Sequence, residues 1–173
     1  MKCFEPIYDA GSRLLILGTF PSVRSREAGF YYAHPRNAFW RIIGELYCGG
    51  ATDITPEALN LSAPERKREI LLENHIALWD VCETCDVKGS SDASIGSVVF
   101  NDIAGVIHAA DIRAIFFNGA KAEELFGRYL RAKHPDIDPG LVVNARRLPS
   151  TSPANAIPFE QKLREWREVQ KIH

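Results

Sequence analysis

The sequence lacks the segments that would place it in or across a membrane. No basic stretch followed by an apolar one stands near its beginning, and no uninterrupted apolar run reaches the roughly 18 residues that a spanning helix needs. We therefore expect a cytoplasmic protein with no membrane partner.

Cysteine is also scarce, with four in 173 residues. Cys3 and Cys48 stand alone, and only Cys82 and Cys85 form a C-x-x-C pair, so the pattern is not that of a disulfide framework. The pair could form half of a zinc or iron–sulfur site, or a redox couple, but no second pair completes it. We expect no metal and no cofactor.

An excess of positive charge is missing too, since the formal net charge is −1. This balance excludes a protein that coats nucleic acid by bulk charge. Arginines nevertheless cluster in two places, namely Arg24, Arg26, Arg36 and Arg41, and then Arg146 and Arg147. Two basic spots suit a small phosphate footprint, although ordinary solvated arginines would fit equally well.

What the chain does have is enough apolar content, 46%, to bury the core of one domain over 1–173. Runs of strand length occupy 14–17, 76–79, 112–117 and 141–143. Helical patterns occupy 38–46, 64–73, 102–110 after a possible Asn101 cap, 121–132 and 159–170. Their alternation predicts an α/β fold in three layers, with helices on both faces of a short, mainly parallel four-stranded sheet.

Each predicted strand leads into a polar, turn-forming motif: GTFPS (18–22), DVCETC (80–85), NGAKA (118–122) and STSPANA (150–156). The carboxyl ends of parallel strands meet at one edge of a sheet, where ligands bind. The four loops therefore predict one site. A further stretch, GFYYAHPRNAFW (29–40), places a short polar step between two aromatic blocks.

In this order, GTFPS, GFYYAHPRNAFW, FFNGAKA and STSPANA resemble the uracil-DNA glycosylase superfamily, and within it the hypoxanthine-DNA (deoxyinosine) glycosylase branch. The resemblance extends from about Leu14 to Trp166. It implies a compact α/β domain that flips a damaged base out of DNA and hydrolyses the bond between base and sugar.

The resemblance implies a base pocket in which Tyr32 stacks on the flipped base and Phe20 lines the wall. Asn118 could answer the N1–H and O6 of hypoxanthine with one amide, or could simply form a turn. The predicted pocket residues are Gly18, Thr19, Phe20, Tyr32 and Asn118. Core packing is the expectation for at least one of Phe30 and Tyr31, and also for Phe39 and Trp40.

The predicted catalytic residue is Asn37. Thr19 stands where many relatives carry an Asp or Asn, and the resembling branch uses an Asn at the place of Asn37. An amide there would orient water and stabilise charge on the sugar. Asn37 could also cap a helix that begins at Ala38, and both roles are compatible.

The last motif departs from the superfamily's usual His-Pro-Ser-Pro, because Ser150 replaces the histidine that supports a departing pyrimidine. This loss fits a purine leaving group. The residues predicted to contact DNA are Pro21, Ser22, Arg36, Ser150, Ser152, Pro153, Ala154 and Asn155. His34 could order its loop or reach a phosphate, and Asp80 could orient a site residue or merely end its strand.

The sequence thus predicts a monomeric, monofunctional DNA glycosylase that acts on double-stranded DNA containing a deaminated base, hypoxanthine first. Three alternatives stay open: a uracil or mismatch-specific enzyme of the same superfamily, a non-catalytic single-stranded nucleic-acid binding module, and a small-molecule enzyme such as a nucleoside hydrolase or a Cys82–Cys85 redox protein.

Overall fold

A computed structural model describes residues 3–48, 64–87 and 95–172. The strands are β1 (Leu14–Gly18), β2 (Ile76–Asp80), β3 (Cys82–Val87), β4 (Ile95–Phe100), β5 (Ala114–Asn118) and β6 (Arg146–Leu148). The helices are α1 (Val23–Ala28), α2 (Phe39–Tyr47), α3 (Pro64–Glu73), α4 (Ile103–Ala109), α5 (Ala120–Lys133), α6 (Pro139–Val143) and α7 (Phe159–Trp166), which continues as a 3₁₀ helix, Arg167–Lys171. None of the described helices is long and apolar enough to cross a membrane.

The central sheet has four parallel strands in the order β2-β1-β5-β6. Every residue of β1 and β2 is buried, which is why both strands are apolar on both faces rather than alternating. Helices flank this sheet, so the predicted α/β class with a short parallel four-stranded sheet is confirmed.

The fourth strand was predicted in the wrong place. Leu141 to Val143 lie in α6, where the Asp138 carboxylate accepts the Gly140 N–H at 2.8 Å and Pro139 opens the helix. The sheet is completed instead by Arg146–Leu148, whose two arginines are exposed at the edge. A charged edge strand carries little apolar signal, so periodicity misses it.

The segment 80–85 was also wrongly predicted as a loop. It enters β3, which pairs antiparallel with β4 in a separate two-stranded sheet. Helix α1 was not predicted, and Ser22 caps it by accepting the Ser25 N–H at 3.2 Å. The cap of α4 is Asp102 rather than Asn101.

The aromatic block after Gly29 belongs largely to the core, as expected. Phe30, Tyr31, Phe39 and Trp40 are all buried. Phe39 packs edge-on against Trp166 of α7, at a centroid distance of 5.7 Å. The loop that carries the polar step 34–37 is therefore anchored on both sides by buried rings.

Candidate active site

A cavity of about 700 Å³ lies at the carboxyl ends of β1, β2 and β5, which end at Gly18, Asp80 and Asn118. It brings together residues from all the predicted motifs, because parallel strands place their following loops at one edge. The predicted residues that line it are Gly18, Thr19, Phe20, Pro21, Ser22, Tyr32, Asn37, Asn118, Ser150, Ser152, Pro153, Ala154 and Asn155. Arg36 alone among the predicted residues does not line this cavity.

The floor of the cavity is crowded around Gly18. A side chain at this position would collide with the Asp80 carboxylate and the Tyr32 hydroxyl. Gly18 therefore lets these two oxygens approach β1 closely and, necessarily, each other.

Tyr32 lines the cavity and has a strained backbone conformation. Its φ is 51°, in the left-handed region that non-glycine residues rarely adopt, and its ring stacks on Phe39 with centroids 4.3 Å apart. The buried hydroxyl makes no hydrogen bond of good geometry within the described residues. Burial, and secondarily Asp80, raise the pKa of Tyr32.

The Asn118 amide is held by Thr151. Asn118 Oδ1 accepts the Thr151 N–H at 2.9 Å, and Asn118 Nδ2 donates to Thr151 Oγ1 at 2.9 Å. This pair of bonds fixes which way the amide points. It also engages the donor–acceptor edge with which one amide would bind a base, and the Asn118 side chain lies close enough to the Tyr32 hydroxyl to lower the pKa of that group, opposing the effect of burial.

Thr151 also connects the 150–156 loop to the loop of Asn37. Its carbonyl oxygen accepts the Ala38 N–H at 3.0 Å, and the residue is 1% exposed. The sequence analysis missed this residue. The sequence contained one indication of its role, a hydroxyl side chain within a motif that was interpreted as a surface loop.

Asn37 combines the contacts of a helix start with a position at the cavity wall. Its Oδ1 accepts the Phe39 N–H at 3.0 Å, and its own N–H donates to the His34 carbonyl at 2.8 Å. The amide nitrogen makes no hydrogen bond to the described residues. The capping contact is therefore present, and the amide N–H groups stay available to a ligand.

His34 orders the same loop, because its Nδ1 accepts the Arg36 N–H at 3.0 Å. That bond assigns the ring proton of the neutral side chain to Nε2. The fold thus uses His34 locally, which was one of the two roles left open for it.

The 150–155 loop is held from below by Lys162, which the sequence analysis missed. Lys162 is 5% exposed, and its Nζ donates to the Asn155 carbonyl oxygen at 2.9 Å. Burial lowers the pKa of Lys162. The signal was a lysine three positions after Phe159 and four before Trp166, on the buried face of α7.

A second cavity of about 590 Å³ lies on the other side of Asn37 and shares five lining residues with the first: Tyr32, His34, Asn37, Pro153 and Asn155. We call it the basic groove, because the described residues that line it include no Asp or Glu and four cations: Arg36, Arg41, Lys67 and Lys162. Arg41 lies over the Phe159 ring, 3.6 Å from its centroid, and Lys67 lies 5.2 Å from that of Trp40. Burial lowers the pKa of Lys67.

The other predicted basic residues have partners of their own. Arg146 pairs with Glu168 at 2.9 Å and Arg147 pairs with Glu123 at 3.1 Å. Arg24 pairs with Glu27, while Arg26 donates to the Pro21 carbonyl at 2.7 Å. Of the predicted basic residues, Arg36 and Arg41 line the basic groove, whereas Arg146 and Arg147 are paired with carboxylates.

Within the described residues, no group of three or more His, Cys, Asp or Glu side chains could hold a metal ion. Cys82 is buried at the start of β3. The Cys85 side chain lies outside the described part, so the C-x-x-C alternative is not tested by the geometry.

These features define an α/β protein whose ligand site lies at the carboxyl ends of a short parallel sheet, beside a cationic groove. The chain belongs to the uracil DNA glycosylase superfamily, whose family model matches residues 5–171.

Two similar proteins carry the name hypoxanthine DNA glycosylase. The one from Methanosarcina acetivorans is 34% identical over 96% of this chain and 95% of its own length. The one from Methanosarcina barkeri is 30% identical over 97% and 96%. A solution NMR structure from Methanosarcina acetivorans, described as a candidate uracil DNA glycosylase, matches with a TM-score of 0.71 and 30% identity over 98% of both chains.

Proposed function

We propose that the protein is a monofunctional DNA glycosylase that releases hypoxanthine from deoxyinosine in double-stranded DNA. Membership of the superfamily and the names of two full-length relatives support the activity and the base. The observation that carries the site is the cavity of about 700 Å³ where Asn37 and the ends of three strands meet. The enzyme acts as a single domain and as a monomer in the cytoplasm, without a metal or cofactor.

Asn37 positions the attacking water. Its oxygen accepts the Phe39 N–H, which limits rotation of the amide, and its N–H groups have no partner among the described residues. The carbonyl end of the amide dipole stabilises the positive charge that develops on the sugar, because it is already oriented and needs no reorganisation. Asn is too weak a base to take the proton fully, so its role is orientation and charge stabilisation.

The flipped base lies in the cavity against Tyr32. Stacking on Phe39 holds the Tyr32 ring in place before the base arrives. A preorganised aromatic face returns about 1–3 kcal/mol per base, which offsets part of the cost of unstacking. Gly18, Thr19, Phe20 and Asn118 form the remaining walls.

The DNA backbone runs from the 150–155 loop into the basic groove. Ser150, Ser152, Pro153, Ala154 and Asn155 approach the phosphates next to the flipped nucleotide, with Pro21 and Ser22 on the facing loop. Arg36 takes part from the groove rather than from the base cavity. Cations without acidic neighbours favour phosphates more than paired arginines do.

The test is incubation with duplexes that each carry one altered base, followed by alkali cleavage of the abasic strand. We expect cleavage at deoxyinosine, faster than at deoxyuridine in single-turnover experiments at saturating enzyme, and none with free deoxyinosine nucleoside. No release from any duplex would reject the glycosylase function. Uracil release as fast as hypoxanthine release would reject the proposed base.

A further inference from the structure

Asp80 is a buried carboxyl group that the proposed mechanism above does not use. It ends β2 directly beside Gly18 of β1, is 3% exposed, and lines the base-side cavity. Its backbone carbonyl accepts the Asn101 Nδ2 at 2.8 Å, which fixes the residue in place. Its carboxyl group makes no hydrogen bond or ion pair to another described residue. A carboxyl group held rigidly at a cavity without a partner is costly to bury unless a ligand uses it.

The surroundings of Asp80 favour its neutral form. Burial raises the pKa of Asp80 to about 7. The titratable groups around it are the Cys3 thiol from the N-terminal segment, the Tyr31 and Tyr32 hydroxyls, and the Cys82 thiol on β3, none of which is a cation. The charged and titratable residues elsewhere on the cavity wall are Arg26, His34 and Lys121.

We propose that Asp80 is the general acid that protonates the departing purine, an inference that rests on the proposed glycosylase function. The cavity holds the base between Tyr32 and the strand ends, and Asp80 is the one carboxyl group among the described residues that line it. An ionised carboxylate there would repel the electron density that collects on a leaving base, whereas a neutral carboxyl group donates to it.

The step balances without any other reactant. As the bond between the sugar C1′ and the purine N9 breaks, its electron pair moves into the purine ring. The Asp80 proton passes to a ring nitrogen, so hypoxanthine leaves neutral and Asp80 remains as a carboxylate. Water adds to C1′ and releases a proton to solvent, from which Asp80 is later protonated again.

The same chemistry favours purines over uracil. Hypoxanthine in a nucleotide carries basic ring nitrogens, N3 and N7, whereas the N3 of uracil already bears a hydrogen. A proton donor in the pocket therefore assists purine departure at a site that uracil lacks, and selectivity does not have to depend on the Asn118 amide.

The experiment measures single-turnover release of hypoxanthine from a deoxyinosine duplex at saturating enzyme, from about pH 5.5 to about pH 8. For the parent protein we expect a rate that falls as pH rises through about 7, approaching roughly tenfold per pH unit. Asp80→Asn keeps the shape and cannot supply a proton, so it should be slower by on the order of 10²-fold at pH 6 and lose this pH dependence. Glu83→Gln, on β3 and outside the cavity, makes the same change from carboxyl group to amide and should match the parent.

Each outcome is decisive. An Asp80→Asn rate within threefold of the parent, or a parent rate that rises or stays constant through this range, would overturn the role of Asp80. If Asp80→Asn does not fold, the parent pH profile and a ¹³C titration of its carboxyl carbon still decide. If the parent releases no hypoxanthine at all, the glycosylase function itself fails, so the two failures are distinct.

Discussion

At the scale of single residues, Asn37 serves two purposes with two ends of one amide. Its oxygen accepts the Phe39 N–H, while its nitrogen has no partner within the described residues. We predict that Asn37→Ala lowers single-turnover release by on the order of 10²–10⁴-fold, because the positioning group is lost. It should also destabilise the fold by about 0.5–2 kcal/mol through loss of the capping acceptor.

Asn37→Asp is the matched control, since it keeps an acceptor for Phe39 and removes the amide N–H donors. It should restore most of the stability in urea denaturation without restoring release. Release by Asn37→Ala within tenfold of the parent, with binding and fold preserved, would remove Asn37 from the mechanism.

Asp80 makes a second residue-scale prediction, on stability. Its folded pKa of about 7 lies above the ordinary 3.8, so the folded state binds a proton more tightly than the unfolded state does. Its contribution is favourable below 3.8, declines as pH rises toward 7, and is fully lost above that range. Asp80→Asn has no carboxyl group to ionise inside the fold and so avoids this loss. Its free energy of unfolding should exceed that of the parent by more at pH 8 than at pH 5, with a difference of at least about 1 kcal/mol.

Denaturant unfolding of both proteins at the two pH values measures this difference. An advantage that does not change with pH would show that the buried carboxyl group is not protonated in the folded state. A carboxyl group that destabilises the fold and lines a cavity, as Asp80 does, indicates that function requires it.

At the scale of elements, Thr151 joins the end of β5 to the start of α2. Its hydroxyl accepts Asn118 Nδ2, while its backbone bonds Asn118 Oδ1 and the Ala38 N–H. We predict that Thr151→Val costs about 1–3 kcal/mol, because the buried amide N–H of Asn118 is left without an acceptor. Thr151→Ser should keep most of the stability in thermal unfolding; equal losses for both variants would exclude the hydroxyl as the stabilising group.

The elements also show how far sequence reasoning reaches. The central strands and α3 were predicted because full burial requires continuous apolar runs and a helix requires a regular period. The β6 edge and β3 were missed because polar and charged residues stand where pairing, not burial, defines the strand. The apolar end of β4, Val98 to Phe100, carried a strand signal that was overlooked. Local propensity alone does not report a partner strand distant in sequence.

The candidate site, like the fold, was predicted only in part. Parallel topology made it possible to predict that the motif loops would converge, and the cavity contains nearly all the residues named from the sequence. The bonds that orient them could not be predicted. Asn118 bonds Thr151 across 33 positions, and Lys162 bonds the loop at 155, because folding brings these groups together in space.

At the scale of the whole molecule, a net charge of −1 makes the location of unpaired cations decisive for DNA binding. The basic groove contains Arg41 and Lys67, and no acidic residue lines it in the part of the chain that the structure describes, whereas Arg146 and Arg147 have carboxylate partners. Neutralising a phosphate releases counterions, so each groove cation that contacts DNA adds about 1 to the magnitude of the slope of log binding constant against log salt concentration.

We predict that the Arg41→Gln, Lys67→Gln double variant weakens duplex binding at low salt and reduces this slope by about 2. The Arg146→Gln, Arg147→Gln variant removes equal charge and should change the slope less, because the carboxylates of Glu168 and Glu123 already pair with those arginines in the parent. Fluorescence anisotropy over a series of salt concentrations measures both slopes, and an equal change in the two variants would mean that the DNA does not follow the groove.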